Sequence, residues 1–232
     1  MHVRREEAIF ENRFDAGRQL AAKLMPYRDK PAVVVAIPNG GVAVGLEVAL
    51  ALGAELDLVI SRKIPLPLSP EGGFGAVTDD GTMMLDEEVV QKVGLTPQQI
   101  GYQVSQVRSG IRQRSMLYSA DKKPVVLAGK VAIVVDDGLA AGYTMTAAVS
   151  SVRQRRPGEV VVAVPVGPAD AVKRLKKVAD RVITCAVGTD PKFYVSDYYR
   201  YWHEVSDAEV VQFLREWRIR RYQSYIEPSQ NK

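Results

Sequence analysis

The sequence predicts an α/β fold built on a central parallel sheet of about five strands flanked by helices. Short runs of apolar, mostly β-branched residues recur at 32–37, 56–61, 131–135, 160–164 and 181–186. Each is too short for an amphipathic helix and continuous enough to be buried on both faces. Segments of helical spacing separate most of them, the alternation that joins parallel strands by crossover helices. The 232 residues, 47% of them hydrophobic, suffice for one well-cored domain and are short for two.

In chain order, residues 6–25 place Phe10, Phe14, Gly17, Leu20 and Leu24 three and four apart, the apolar stripe of a helix. The strand at 32–37 runs into Pro38, Asn39, Gly40 and Gly41, a tight loop, after which 42–52 reads as a helix. Beyond the strand at 56–61, Pro65, Pro67, Pro70, Gly72, Gly73 and Gly75 interrupt the chain, so 64–80 is expected to be a mobile excursion. Thr96, Pro97 and Gln99 start a capped helix over 97–118, with Ile100, Val104, Val107 and Ile111 on its stripe. Further helices are expected near 143–155 and 169–179. Ser206 and Glu209 cap a last helix whose face carries Val210, Leu214 and Trp217. The termini and the excursion over 62–85 are expected to form a small hood, its C-terminal part spanning about 190–220.

Lys and Arg number 31 against 27 Asp and Glu, a formal charge of +4 with a pI near 9.1. So modest an excess fits a small polyanionic ligand. The basic clusters at Arg153, Arg155 and Arg156, at Lys173, Arg174, Lys176 and Lys177, and at Arg215, Arg218, Arg220 and Arg221 read as solvated helix faces, not as a nucleic-acid surface. Cys185 is alone, which excludes an internal disulfide and cysteine-based zinc spacing, and its apolar neighbours predict a buried thiol. The first residues lack the apolar core of a secretion signal and no run of about 18 apolar residues occurs. A soluble, cytoplasmic protein without a membrane partner is expected.

The chemistry concentrates at residues 131–149, VAIVVDDGLAAGYTMTAAV: an apolar strand, two carboxylates, a loop of small residues, then a helix. Such a turn lets successive backbone N–H groups converge on an anion, and the helix adds its positive dipole end. Gly138, Leu139, Ala140, Ala141, Gly142, Tyr143 and Thr144 suit a phosphate monoester, with the Thr144 hydroxyl as an added donor. Asp136 and Asp137 need hydroxyls, cations or water, because adjacent carboxylates are costly to bury unpaired. A ribose with vicinal hydroxyls, or a hydrated Mg²⁺, meets that need. No Gly-Lys-Ser or Gly-Lys-Thr is present, which argues against a P-loop.

VVDDGLAAGYT resembles the phosphoribosyl pyrophosphate signature of type I phosphoribosyltransferases, and residues 10–215 resemble a branch of that family with a Pro-x-Gly-Gly-Val loop and an Arg-Lys pair. The resemblance implies an enzyme that moves the phosphoribosyl group of 5-phosphoribosyl 1-pyrophosphate to a nitrogen nucleophile, working with Mg²⁺ and as a homodimer. It implies that Asp136 and Asp137 meet the ribose hydroxyls, directly or through Mg²⁺ and water, and that 138–144 hold the 5-phosphate. Pro38, Asn39, Gly40 and Gly41 would bind pyrophosphate, with Arg62 and Lys63 stabilising the charge that gathers there. Arg62, Lys63 and Asp137 would thus be the catalytic residues. Phe193 and Tyr194 would face the acceptor, and His203 is read as structural. Two departures stand out: Asn39 replaces a usual arginine, and Ala140 replaces the carboxylate that purine-salvage relatives use on their base. A regulatory protein that senses the same ligand without turnover is the competing expectation, and weak RNA binding through the basic helices is a third that could accompany either.

Overall fold

The computed structural model describes residues 8–118, 125–190 and 192–226. In chain order its elements are α1 (Arg13–Leu24), β1 (Ala32–Ala36), α2 (Gly41–Leu52), β2 (Glu55–Leu58), β3 (Ser61–Leu66), β4 (Ser69–Thr78) and β5 (Met83–Leu85). There follow α3 (Glu87–Val93), α4 (Pro97–Tyr118), β6 (Val131–Val135), α5 (Tyr143–Gln154), β7 (Glu159–Pro168), α6 (Ala169–Leu175), β8 (Arg181–Gly188) and α7 (Asp207–Ile226). Five strands form the expected parallel sheet in the order β2-β1-β6-β7-β8.

Period-two alternation divides this sheet's side chains between two cores. Val34, Ala36, Ile133, Val135, Val161 and Ala163 pack with residues of α1, α2, α4 and α7. Val33, Val35, Ala132, Val134, Val160 and Val162 lie with residues of α5 and α6. That is why the strands read as unbroken valine runs. The chain moves from β1 outward to β2, whereas β6 lies on the other flank of β1 and leads on to β7 and β8. The order therefore reverses between β1 and β6, and a crevice opens at their carboxyl ends.

Caps set the helix limits. Thr96 N–H donates to Gln99 Oε1 at 2.9 Å and Gln99 N–H returns to Thr96 Oγ1 at 3.3 Å, so α4 starts where expected. Ser206 and Glu209 make the same exchange at 2.8 and 3.3 Å before α7. The first helix is shorter than its spacing suggested: Asn12 accepts from the Asp15 N–H at 3.0 Å and caps it, leaving Phe10 in a β-bridge with Tyr199. Residues 6 and 7 lie outside the described residues. The helix expected over 169–179 ends at Leu175, where the Val178 N–H turns back to the Leu175 carbonyl. Cys185 is only partly buried, because β8 is an edge strand of the sheet.

The largest correction concerns 56–80. The second strand stops at Leu58, and Ser61 opens a separate antiparallel sheet, β3-β4-β5, in which Arg62 and Lys63 are strand residues. The residues read as breakers of an excursion have other uses here. Pro65 sits where the β3–β4 register shifts, a place where a missing N–H does no harm. Gly75 lies so close to β5 that a Cβ would stand 2.2 Å from the Met84 carbonyl oxygen. Ile64 and Phe74 are fully buried and anchor the pair of strands to the core. Phe74→Ala is expected to cost about 3–5 kcal/mol in denaturant unfolding; a loss below about 1 kcal/mol would show that this sheet is not packed as described.

The small sheet is also tied to α5. Ser151 Oγ donates to Asp80 at 2.6 Å and Tyr143 Oη to Asp86 at 2.5 Å. Burial, and then the bond to Asp86, pushes the Tyr143 hydroxyl up to about 12. Three of the basic residues singled out in the sequence have acidic partners: Arg153 with Asp180, Arg155 with Asp57, and Arg220 with Glu47 and Glu216. Among the described residues no helix is long and apolar enough to cross a membrane.

Candidate active site

Two loops meet at the β1–β6 crevice, and glycine is what lets them. After β1 the Pro38–Asn39 peptide is cis, and Gly40 and Gly41 lead into α2. A Cβ on Gly41 would stand 2.9 Å from both the Asp136 Cα and the Val135 carbonyl oxygen. A Cβ on Gly40 would stand 1.9 Å from Asp137 Oδ2. On the second loop, Gly138 lies against Val195, and Gly142 takes the left-handed conformation, φ 82°, that turns the chain into α5. The Tyr143, Thr144 and Met145 amides at the start of α5 precede its first backbone bond, from the Thr146 N–H to the Gly142 carbonyl, and lie at its positive end. Leu139 departs from the expected cradle. Its side chain is buried and its N–H donates to Val166 of β7 at 2.9 Å, away from any ligand.

The two carboxylates differ. Asp136 Oδ1 accepts the Asp137 N–H at 2.9 Å. Burial, and then the negative charge of Asp137, pushes Asp136 well above the usual carboxylate range. Asp137 is met by Arg13, whose Nε donates to Oδ2 at 2.7 Å while its Nη1 donates to the His203 carbonyl at 2.8 Å. The Arg13 guanidinium is stacked 3.8 Å from the Trp202 ring centre. Tyr199, buried, donates from Oη to the Asp137 carbonyl at 2.6 Å and so fixes the loop's backbone.

Asn39 is held by a separate network. Its Nδ2 donates to the Val205 carbonyl at 2.7 Å and to Asp207 at 3.0 Å, so its Oδ1 faces Arg62 Nη2 at 2.7 Å. Asp207 also accepts from Tyr118 Oη at 2.6 Å and from Arg114 Nε at 3.2 Å. Burial, and then the Arg114 charge, pulls the Arg62 guanidinium below its ordinary value, and its Nε is buried with no hydrogen-bond partner among the described residues. Lys63 does not join this network, although with Arg62 it borders a cavity of about 350 Å³ beside α4. It follows Arg62 on a strand and so points to the other face, where its ammonium donates to the Pro70 and Glu71 carbonyls at 3.1 and 2.7 Å.

A cleft of about 480 Å³ lies beside the loop, lined by Ala140, Ala141, Asp170, Arg174, Asp190 and Phe193 among others. Phe193 reaches it, packed on Gly188 and tilted against Tyr198. Tyr194 is not in its lining and is exposed. His203 pairs with Glu209 at 2.8 Å, outside the crevice. Among the described residues no three His, Cys, Asp or Glu side chains gather to hold a metal. Asp136 and Asp137 would therefore hold Mg²⁺ only with ligand oxygens and water completing its shell, which suits that ion.

Residues 84–201, about half of the chain, match the family model described as the phosphoribosyl transferase domain. The chain belongs to that family. The crystal structure of TT1426 from Thermus thermophilus is 36% identical, superposes with a TM-score of 0.74, and is matched over 90% of this chain and 98% of that one. Two Mycobacterium tuberculosis proteins, from strains CDC 1551 / Oshkosh and ATCC 25618 / H37Rv, are each named "Putative phosphoribosyl transferase" and are 38% identical over 206 residues, 89% of this chain. The chain spans about half the length of these curated relatives, 46% of each.

The matched phosphoribosyl transferase domain includes the 136–144 loop and the cleft, while the Pro38–Gly41 loop, Arg13 and Arg62 precede it. Sequence reasoning missed Arg13, Tyr118 and Asp207. One signal for Arg13 was available. It shares the buried stripe of α1 with Ala16, Gly17, Leu20 and Leu24, and an arginine on an apolar stripe needs a partner.

Proposed function

We propose that the chain is a Mg²⁺-dependent phosphoribosyltransferase: a nitrogen nucleophile attacks C1 of 5-phosphoribosyl 1-pyrophosphate, the C1–O bond breaks, and pyrophosphate leaves with the bonding electrons. The observation that carries this reading is the contact of the two loops, Gly40 and Gly41 set against Asp137 and Asp136 at the strand-order reversal. A ligand with a pyrophosphate on one side and a ribose 5-phosphate on the other spans those loops. Asp136 and Asp137, with water, would hold Mg²⁺, which when bound would offset the ligand's negative charge. The chain's own part is to place the 5-phosphate on the amides before α5, the ribose hydroxyls against Asp136 and Asp137, and the leaving group beside Arg62. Charge grows on pyrophosphate as the bond breaks, so a fixed guanidinium there favours the transition state over the ground state.

The acceptor side favours a planar, nitrogen-bearing molecule, with Phe193 for stacking and Asp170 and Asp190 as acceptors of its N–H groups. A second reading, a sensor that binds the same ligand without turnover, is favoured by Ala140, which offers no acid to the acceptor. Pyrophosphate release from 5-phosphoribosyl 1-pyrophosphate, measured with Mg²⁺ across a panel of nucleobases and amines, separates the two. Release that requires one acceptor class is expected of the enzyme. Tight calorimetric binding with no release from any acceptor would leave only the sensor, and no binding at all would end both.

A further inference from the structure

We infer that Arg13 supplies, from the first helix, the positive charge that the pyrophosphate loop lacks at Asn39; this rests on the ligand reading given above. The family resemblance of the sequence implies a usual arginine at the Asn39 position. Here the Asn39 amide is committed to Val205, Asp207 and Arg62 and brings no charge of its own. Two guanidiniums bracket the loop instead. Arg62 meets Asn39 from β3, and Arg13 lies on the other flank, its Nε 2.9 Å from the point where a Cβ on Gly40 would stand. Arg13 and the Asp137 carboxylate thus fill the space beside Gly40, directly behind the loop on which a bound pyrophosphate would seat.

The surroundings suit a cation kept in place for an anion. Trp202 stacks under the guanidinium and the His203 carbonyl accepts a hydrogen bond from its Nη1, so its orientation does not depend on Asp137 alone. Asp137 itself occupies the space beside Gly40, and an unbalanced carboxylate there would repel a pyrophosphate. Arg13 offsets that repulsion by pairing with Asp137 at 2.7 Å. Stacking of the side chain and its burial, only 6% exposed, also limit the freedom it must lose when a ligand arrives.

The test compares two ligands on the folded chain by calorimetry with Mg²⁺: inorganic pyrophosphate and ribose 5-phosphate, after 5-phosphoribosyl 1-pyrophosphate has been shown to bind the parent. Arg13→Gln is expected to weaken pyrophosphate about 10- to 100-fold, as for loss of a charged hydrogen bond, and ribose 5-phosphate by less than about threefold. Arg13→Lys, which keeps the charge, is expected to recover most of the pyrophosphate affinity. If Arg13 only holds Asp137 in position, both ligands weaken together and the inference fails; it fails equally if neither changes. Should Arg13→Gln not fold, Arg13→Lys and Trp202→Leu decide by the same pair of ligands, a preferential loss of pyrophosphate in Trp202→Leu supporting the assignment and equal losses overturning it. A parent chain that binds no 5-phosphoribosyl 1-pyrophosphate sinks the ligand reading itself, a result distinct from any of these.

Discussion

The Asp136→Asn variant is expected to melt higher than the parent at pH 7 while losing most of its Mg²⁺-dependent affinity for 5-phosphoribosyl 1-pyrophosphate. Burial, and then the charge of Asp137, raises the Asp136 carboxyl well above 3.8 in the folded chain. The folded state therefore holds that proton more tightly than the unfolded state does. Its contribution to stability is fully present below 3.8 and is lost as pH rises through the higher folded value. Asparagine has the shape of the protonated acid and keeps an oxygen for the Asp137 N–H, so it escapes that loss. The gap in Tm should be near zero at about pH 3 and widen toward neutrality, by about 2–4 °C for each kcal/mol in a chain of this size. Affinity should move the other way, by about 10- to 100-fold, since a charged hydrogen-bond acceptor for the ribose or a hydrated metal is gone. Scanning calorimetry between about pH 3 and 8, with ligand titrations, checks both arms. An unchanged melting temperature at pH 7 would mean that the carboxylate is not confined as described.

Arg62→Met should lower kcat for pyrophosphate release by about 10²- to 10³-fold with little change in KM, the pattern of a donor that acts on charge appearing in the transition state. Methionine keeps much of the apolar stem while removing the guanidinium that meets Asn39. The neighbouring Lys63→Ala should stay within about threefold of the parent, because the ammonium serves the turn between β3 and β4 and belongs to the opposite strand face. The sequence pairs these two residues as equals, and their kinetics should part them. Equal losses at 62 and 63 would place Lys63 back at the leaving group.

Much of the framework is readable from local chemistry. The limits of β6 follow from an unbroken apolar run, the starts of α4 and α7 from reciprocal side-chain caps, and the 136–144 loop from its acidic and small residues. The β3–β4 pair is not readable this way. Its prolines and glycines answer to a register shift and to the approach of a neighbouring backbone, and neither is visible before the strands are paired. The partner of Arg13 was hidden for a similar reason: it is 124 positions away, and nothing near residue 13 announces an acid. The cation missing at position 39 looked like a deficit because only one stretch of chain was in view. The fold brings guanidinium groups from two others.

Three supports of the crevice come from the last part of the chain: the Tyr199 hydroxyl, the His203 carbonyl and the Asp207 carboxylate. Protein synthesis delivers them after every residue they support. A growing chain can assemble β1 and β6 early, yet the Asn39 amide has no fixed polarity until the start of the final helix has emerged and docked. A ribosome-bound fragment ending before residue 207 would thus own both loops and still lack the tool they form together.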